Sequence, residues 1–200
     1  MKIIGLTGTI AAGKSTVARM FKRQGLFVHD ADRTVHELLS PGGAGTEQVI
    51  AEFGSQLKNK DGSVNRPALG HLVFSDHHAR KKLESILHPM VHQRRKQFIA
   101  RMNQLRQNLV VLDVPLLFET GSEGDCDYVV TVWAPMFILR QRALRRANMT
   151  AEKFNSIVST QLPQSDKTRL SDLALPTGLS QADTYHRLKR WLCHIRASNS

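Results

Sequence analysis

Residues 2–16 read Lys2-Ile-Ile-Gly-Leu-Thr-Gly8-Thr-Ile-Ala-Ala-Gly13-Lys14-Ser15-Thr16. Their types and spacing suit one kind of chemistry, the gripping of phosphate. Gly8 and Gly13 let the backbone curl so that successive N–H groups, those of Ala11, Ala12, Gly13 and the residues after them, face one point. The helix that follows adds unpaired amides and a partial positive charge at its start. Lys14 is placed to reach the β- and γ-phosphates of a nucleotide, and the Ser15 hydroxyl to hold Mg²⁺. By composition alone this pattern should arise in roughly one chain in a hundred of this length. An apolar strand before it and a helix after it make it specific, and predict a nucleotide site.

Three further groups could act on what that loop holds. Asp30-Ala31-Asp32 closes a short apolar run, and ligands of an open parallel sheet sit beyond the carboxyl ends of its strands. Asp30 stays open between helix capping and facing phosphate, whereas Asp32 is read as a base or metal partner. Asp113 ends another apolar run and has the place of an acid that assists Mg²⁺. Arg140, Arg142, Arg145 and Arg146 cluster farther along. Arg142 and Arg146 are expected to share a helix face, either as a solvated basic surface or as a lid laying guanidinium groups on phosphate. His88, before Pro89, reads from spacing alone as an N-cap or a buried hydrogen-bonded histidine.

The elements that must position these groups follow from hydrophobic periodicity. Strands are expected at Ile3–Leu6, Leu26–Asp30, Leu109–Val114 and Tyr128–Trp133, with a short fifth at Leu173–Leu175. The run from Leu109 is unbroken, as in a strand buried on both faces. Helices are expected after the loop, over 33–39, from Pro135, from Thr150 through Gln161, and over 181–195. Residues 46–105 read as mainly helical, with turns at Asp61-Gly62 and Arg66-Pro67 and an interruption at His88-Pro89. Leu162 to Lys167 reads as a break. The result is an α/β chain in one domain over 1–200, with a helical insert over 33–107 and a lid region over 136–168.

The chain has 200 residues, 41% hydrophobic and 22% charged, enough to bury a core. No apolar run approaches a membrane span, and no signal-peptide pattern precedes the first strand. Cys126 and Cys193 stand at no metal-like spacing. They are read as free thiols in a reducing compartment, which predicts a cytoplasmic protein. A net charge of +11 calls for an anionic partner or substrate. The basic residues are scattered and few aromatics lie among them, which argues against nucleic acid in favour of a polyphosphate substrate.

With these pieces assembled, the sequence resembles the dephospho-CoA kinase family. The resemblance rests on Gly5-Leu6-Thr7-Gly8 with Gly13-Lys14-Ser15-Thr16, Asp30-Ala31-Asp32 with His36 and Pro41-Gly42, Leu87-His88-Pro89-Met90-Val91, and Val114-Pro115-Leu116-Leu117-Phe118-Glu119. It implies a P-loop NTPase-type parallel sheet flanked by helices. It also implies transfer of the γ-phosphoryl of ATP to the ribose 3′-hydroxyl of dephospho-CoA, with Mg²⁺. On that footing Lys14, Asp32 and Arg142 are catalytic. Gly8, Ala11, Ala12, Gly13, Lys14, Ser15, Thr16, Arg146 and Gly178 bind ATP. Asp32, His36, His88, Pro115, Leu116 and Glu119 bind the acceptor, and Ser15 and Asp32 hold the metal, Asp32 directly or through water. The partners implied are ATP and dephospho-CoA, with no nucleic acid or membrane, and the chain is expected as a monomer or weak homo-oligomer. The rival readings are another small-molecule kinase on the same loop and a nucleotide-dependent nucleic-acid binder.

The chain departs from the commoner family pattern in several places. Thr9-Ile10-Ala11-Ala12 stands for Gly-Ile-Gly-Ser, so Ala11 has less backbone freedom than glycine. Leu139 stands for a frequent glutamine and Ile157 for a frequent arginine. Leu175-Pro176-Thr177-Gly178 replaces a run with Asp-Asn before the glycine. The loop lysine, the hydroxyl after it and Asp32 are all kept, which predicts an active enzyme.

Overall fold

The computed structural model describes residues 1–197, apart from the side chains of Phe74 and Ser75. In chain order the elements are β1 (Lys2–Gly8), α1 (Lys14–Arg23), β2 (Phe27–Asp30), α2 (Ala31–Leu38), α3 (Thr46–Phe53), α4 (Arg66–Ser75) and α5 (His77–Gln104). Then come β3 (Leu109–Asp113), β4 (Tyr128–Trp133), α6 (Met136–Leu144), α7 (Ala151–Ser159), α8 (Gln164–Arg169), β5 (Leu173–Pro176) and α9 (Gln181–Ala197). The five strands form one parallel sheet in the order β2-β3-β1-β4-β5. Two compact units result, one of residues 1–29 and 106–200, the other of Asp30–Leu105.

In the first unit β1 lies between β3 and β4, with Leu6 beside Asp113 on one side and Gly8 beside Val132 on the other. Ile4, Leu6, Val111, Val130 and Val132 have no exposed surface, because helices cover the strands they come from. α1 packs inward through Val17, Ala18, Met20 and Phe21, and α9 through Leu188, Leu192 and Ile195, both at helical spacing. Asp127, just before β4, accepts from the Ile3 amide at 2.8 Å and pairs with Lys2 at 2.8 Å. Asp172 accepts from the Val129 amide at 2.7 Å before β5 begins. These carboxylates seat the starts of the strands.

The second unit is helical and has its own core of Leu39, Val49, Leu57, Val64, Leu69 and Leu87. Side chains cap three of its helices: Asp30 accepts from the Arg33 amide, Asn65 from Ala68, and Asp76 from His78 and Ala79. The expected turn at Asp61-Gly62 sits inside a small antiparallel bridge, Lys58 with Val64.

Three expectations are corrected. Pro89 does not interrupt the helix; α5 runs through it from His77 to Gln104, 28 residues. A proline removes one rung of the ladder, and packing of α5 on α2, α3 and α4 carries the helix across it. Leu162 to Lys167 is not simply a break, since Pro163 leads into α8; proline is well tolerated at a helix start because its missing N–H would be unpaired there anyway. Third, α6 stops at Leu144, with Arg145 as its C-cap. Asn148 then turns left-handed at φ 58° before Thr150 caps α7. Arg146 therefore lies beyond the helix and shares no helical face with Arg142. Among the described residues no helix is long and apolar enough to cross a membrane.

The closest approach in the sheet is at the end of β1. A Cβ added to Gly8 would strike the Val132 Cγ2 and lie 2.6 Å from the Val132 carbonyl oxygen. Gly8→Ala should therefore cost about 1–3 kcal/mol, as overpacked sites do, read as a lowered midpoint in urea unfolding. An unchanged midpoint would show that the strands can part there without loss.

Candidate active site

The loop between β1 and α1 is built from backbone constraints. The Ala12 amide donates to the Thr9 carbonyl at 3.0 Å, closing a tight turn with Ala11 left-handed at φ 63°. Gly13 follows at φ 89° and serves as the N-cap of α1. Its Cβ would have met only ordinary contacts with Thr177 at 3.6 Å, so conformation rather than space demands glycine. Among the described residues no side chain caps α1. The amides at its head and its dipole are thus directed at whatever anion enters.

Lys14 begins α1 and turns to Asp113 at the end of β3, with Nζ 2.5 Å from Oδ1. The Asp113 side chain is 3% exposed and that of Lys14 18%. An ion pair this buried survives only when geometry and further partners offset desolvation. Ser15 is exposed beside it, and the Thr16 hydroxyl accepts from Arg19 at 3.3 Å.

The other wall of the loop comes from the exits of β4 and β5. The Thr177 hydroxyl donates to the Ala12 carbonyl at 2.6 Å and accepts from Arg142 Nη1 at 3.3 Å. Arg142 Nη2 donates to the Thr177 carbonyl at 2.7 Å. Of the two arginines assigned to the phosphates, Arg142 is thus fixed next to the loop's own partner, while Arg146 is exposed on the turn after α6. Gly178 follows Thr177 and is half-buried against Pro135.

Beyond β3, the Pro115 carbonyl accepts from the Thr7 hydroxyl at 2.9 Å, and the Leu116 carbonyl from the Thr120 hydroxyl at 2.8 Å. Glu119 Oε1 accepts from the Leu162 amide at 2.8 Å and lies 2.8 Å from Nζ of Lys167, a lysine with no exposed side-chain surface. The basic run that contains Lys167 reads as scattered charge in the sequence. Its burial was not legible, because its partner stands far away in the chain.

Asp32, His36 and His88 belong to the helical unit. Asp32 is exposed in the first turn of α2, two residues past the end of β2, and His36 is exposed in its last turn. His88 is neither an N-cap nor buried; it is exposed in the middle of α5. Because α5 continues through Pro89, position 88 has no helix end to cap. The unit has a cavity of about 320 Å³ bordered by His36, Pro41, Asn59 and Arg66. A second, of about 610 Å³, is bordered by Gly43, Thr46, Glu47, Ile50 and Lys58.

A family model of dephospho-CoA kinases matches residues 2–182. The chain belongs to that family. It is 47% identical over 167 residues to a dephospho-CoA kinase of Paramagnetospirillum magneticum, spanning 84% of this chain and 78% of that protein. It is 45% identical over 195 residues to a dephospho-CoA kinase of Rhodospirillum rubrum, spanning 98% and 92%. The fold is similar to the crystal structure of a Thermus thermophilus protein, with a TM-score of 0.79 and 30% identity over 96% of this chain and 97% of that one. Two polar pairs stand at the loop, Lys14 with Asp113 and Arg142 with Thr177.

Nothing in the sequence marks Thr177 for this role; it stands there only within the run Leu175-Pro176-Thr177-Gly178. Thr177→Val keeps its shape but leaves the Ala12 carbonyl and Arg142 short of a partner, a loss of about 1–3 kcal/mol when buried. Titration calorimetry should show nucleotide bound at least about tenfold more weakly. Binding equal to wild type would mean that Thr177 does not hold the loop.

Proposed function

We propose that this chain transfers the γ-phosphoryl group of ATP to the 3′-hydroxyl of the ribose of dephospho-CoA, giving coenzyme A. The observation that carries the reading is the Lys14–Asp113 pair beside an uncapped helix start, in a chain of this family. Phosphoryl transfer depends on positioning and charge neutralisation more than on covalent chemistry, and this unit offers both. The amides from Ala11 to Thr16 cradle the β- and γ-phosphates. Lys14 shifts from Asp113 toward them when they arrive. Arg142, already braced by Thr177, lays its remaining N–H groups on the transferring phosphoryl, and Arg146 approaches from the turn after α6.

The residues present fit Mg²⁺. The Ser15 hydroxyl and the Asp113 carboxylate are hard oxygen donors, and Mg²⁺ takes one or two such ligands alongside substrate phosphates and water. Asp32 is a further donor, directly or through water. Bound with ATP, the ion would neutralise charge on the phosphate oxygens.

Asp32 orients the ribose hydroxyl or accepts its proton. What supports this is position: Asp32 is exposed in the first turn of α2, two residues past the end of β2, and ligands of an open parallel sheet sit beyond the carboxyl ends of its strands. Because the transfer depends on positioning more than on covalent chemistry, orientation is favoured over full proton abstraction. The helical unit, with His36 and His88 and its two cavities, is assigned to the remainder of dephospho-CoA; in the first unit, Pro115, Leu116 and Glu119 beyond β3 are assigned to the acceptor. We place the reaction in the cytoplasm, with no nucleic-acid or membrane partner, in a monomer or weak homo-oligomer.

Incubation with Mg-ATP and dephospho-CoA should give 3′-phosphorylated product, resolved by chromatography; its absence would sink the reading. Asp32→Asn should lower kcat by about a hundredfold or more and leave ATP affinity within about twofold of wild type. Undiminished turnover would remove Asp32 from the mechanism.

A further inference from the structure

The phosphate loop contains a strained residue. Thr9 to Ala12 is a four-residue turn closed by the Ala12 amide on the Thr9 carbonyl, and its third position, Ala11, has φ 63°. Turns with positive φ at that place ask for glycine. Ala11 has a Cβ and is 7% exposed, packed in the core. Strain of this kind persists only where the surroundings over-determine the conformation.

One contact does so from outside the loop. The amide of Ile10, the second residue of the same turn, donates to Gln161 Oε1 at 3.1 Å. That amide therefore serves the protein and not the phosphates. Gln161 follows α7 and is set in place by its neighbour, since the Leu162 amide donates to Glu119 Oε1 at 2.8 Å. The same carboxylate oxygen stands 2.8 Å from the buried Lys167 ammonium, which forms an ion pair with it rather than a directed hydrogen bond. Lys167 is delivered by the first turn of α8, whose Lys167 amide donates to the Pro163 carbonyl at 3.0 Å. A buried cation thus fixes a carboxylate, the carboxylate fixes a backbone amide, and the next side chain pins the strained turn.

We propose that Gln161 is a positioning residue for ATP: it holds the Thr9–Ala12 turn in its left-handed, anion-facing form, and Glu119 with Lys167 holds Gln161. The inference rests on the nucleotide reading of the loop given above. Without the Gln161 contact, Ala11 relaxes toward negative φ and the amides lose their common focus. With glycine at position 11 the left-handed form needs no such support.

A double-mutant cycle tests this, with Mg-ATP affinity read by calorimetry and kcat at saturating ATP read separately. Gln161→Leu should raise the Mg-ATP Kd by about tenfold and change kcat by less than about threefold. In an Ala11→Gly background the same substitution should raise Kd by no more than about threefold. Should the leucine variant fail to fold, Gln161→Asn, polar but one methylene shorter, reads the same cycle. Equal penalties in both backgrounds, or no change of Kd in either, would overturn the clamp. A wild-type chain that binds no Mg-ATP would overturn the nucleotide reading and this inference with it.

Discussion

A helix that begins on a left-handed glycine, with no side-chain cap among the described residues, leaves a cluster of backbone donors aimed at one point. Much of the first unit exists to keep that point open. β1 is buried from Ile4 to Gly8, so the loop leaves a rigid strand; β3 ends beside it with Asp113, and β4 and β5 bring Trp133 and Thr177 to the far side. The charge balance is local. Lys14 adds a cation to a positive helix end, and nearly buried Asp113 offsets it. On the reaction proposed above, an incoming polyphosphate would replace that carboxylate as the partner of the ammonium, with part of the desolvation already done before binding.

The ion pair also explains why Asp113 must stand where it does. Leu6 and Asp113 are register partners in the parallel ladder, and a slip of one residue would send the carboxylate to the opposite face of the sheet. Ladder, loop and charge are therefore one constraint. Three consecutive residues of β3 ahead of Asp113, Val110 to Leu112, have no exposed surface.

Much of this was legible in the sequence because it is local. The loop spacing, the apolar runs of β1, β3 and β4, and the helix start at Thr150 all depend on neighbours within a few residues; Asp30, open in the sequence between capping and facing phosphate, is settled as a cap by the structure. What was not legible depends on partners far away. Pro89 reads as an interruption because the rule for proline is local, while the packing that carries α5 through it comes from α2, α3 and α4. Lys167 reads as surface charge because nothing near it names Glu119. Thr177 and Gln161 are ordinary polar residues until the sheet brings them to the loop, and a single sequence holds no signal for that. Arg142 and Arg146 share a helical spacing, yet α6 ends between them, and helix ends are the least certain part of a periodicity argument.

The departures from the family pattern are instructive for the same reason. Where the resemblance leads one to expect glycine, this chain has Ala11, and the turn stays left-handed with the Gln161 side chain bonded to its Ile10 amide. Where Asp-Asn precedes the last glycine, this chain has Pro176-Thr177, and the threonine supplies a donor to Ala12 and two acceptors to Arg142. At both places the side chain that differs is local, but the geometry it must satisfy is set by the loop's need to present amides to an anion. That geometry is reached here through residues whose identities alone would not announce it.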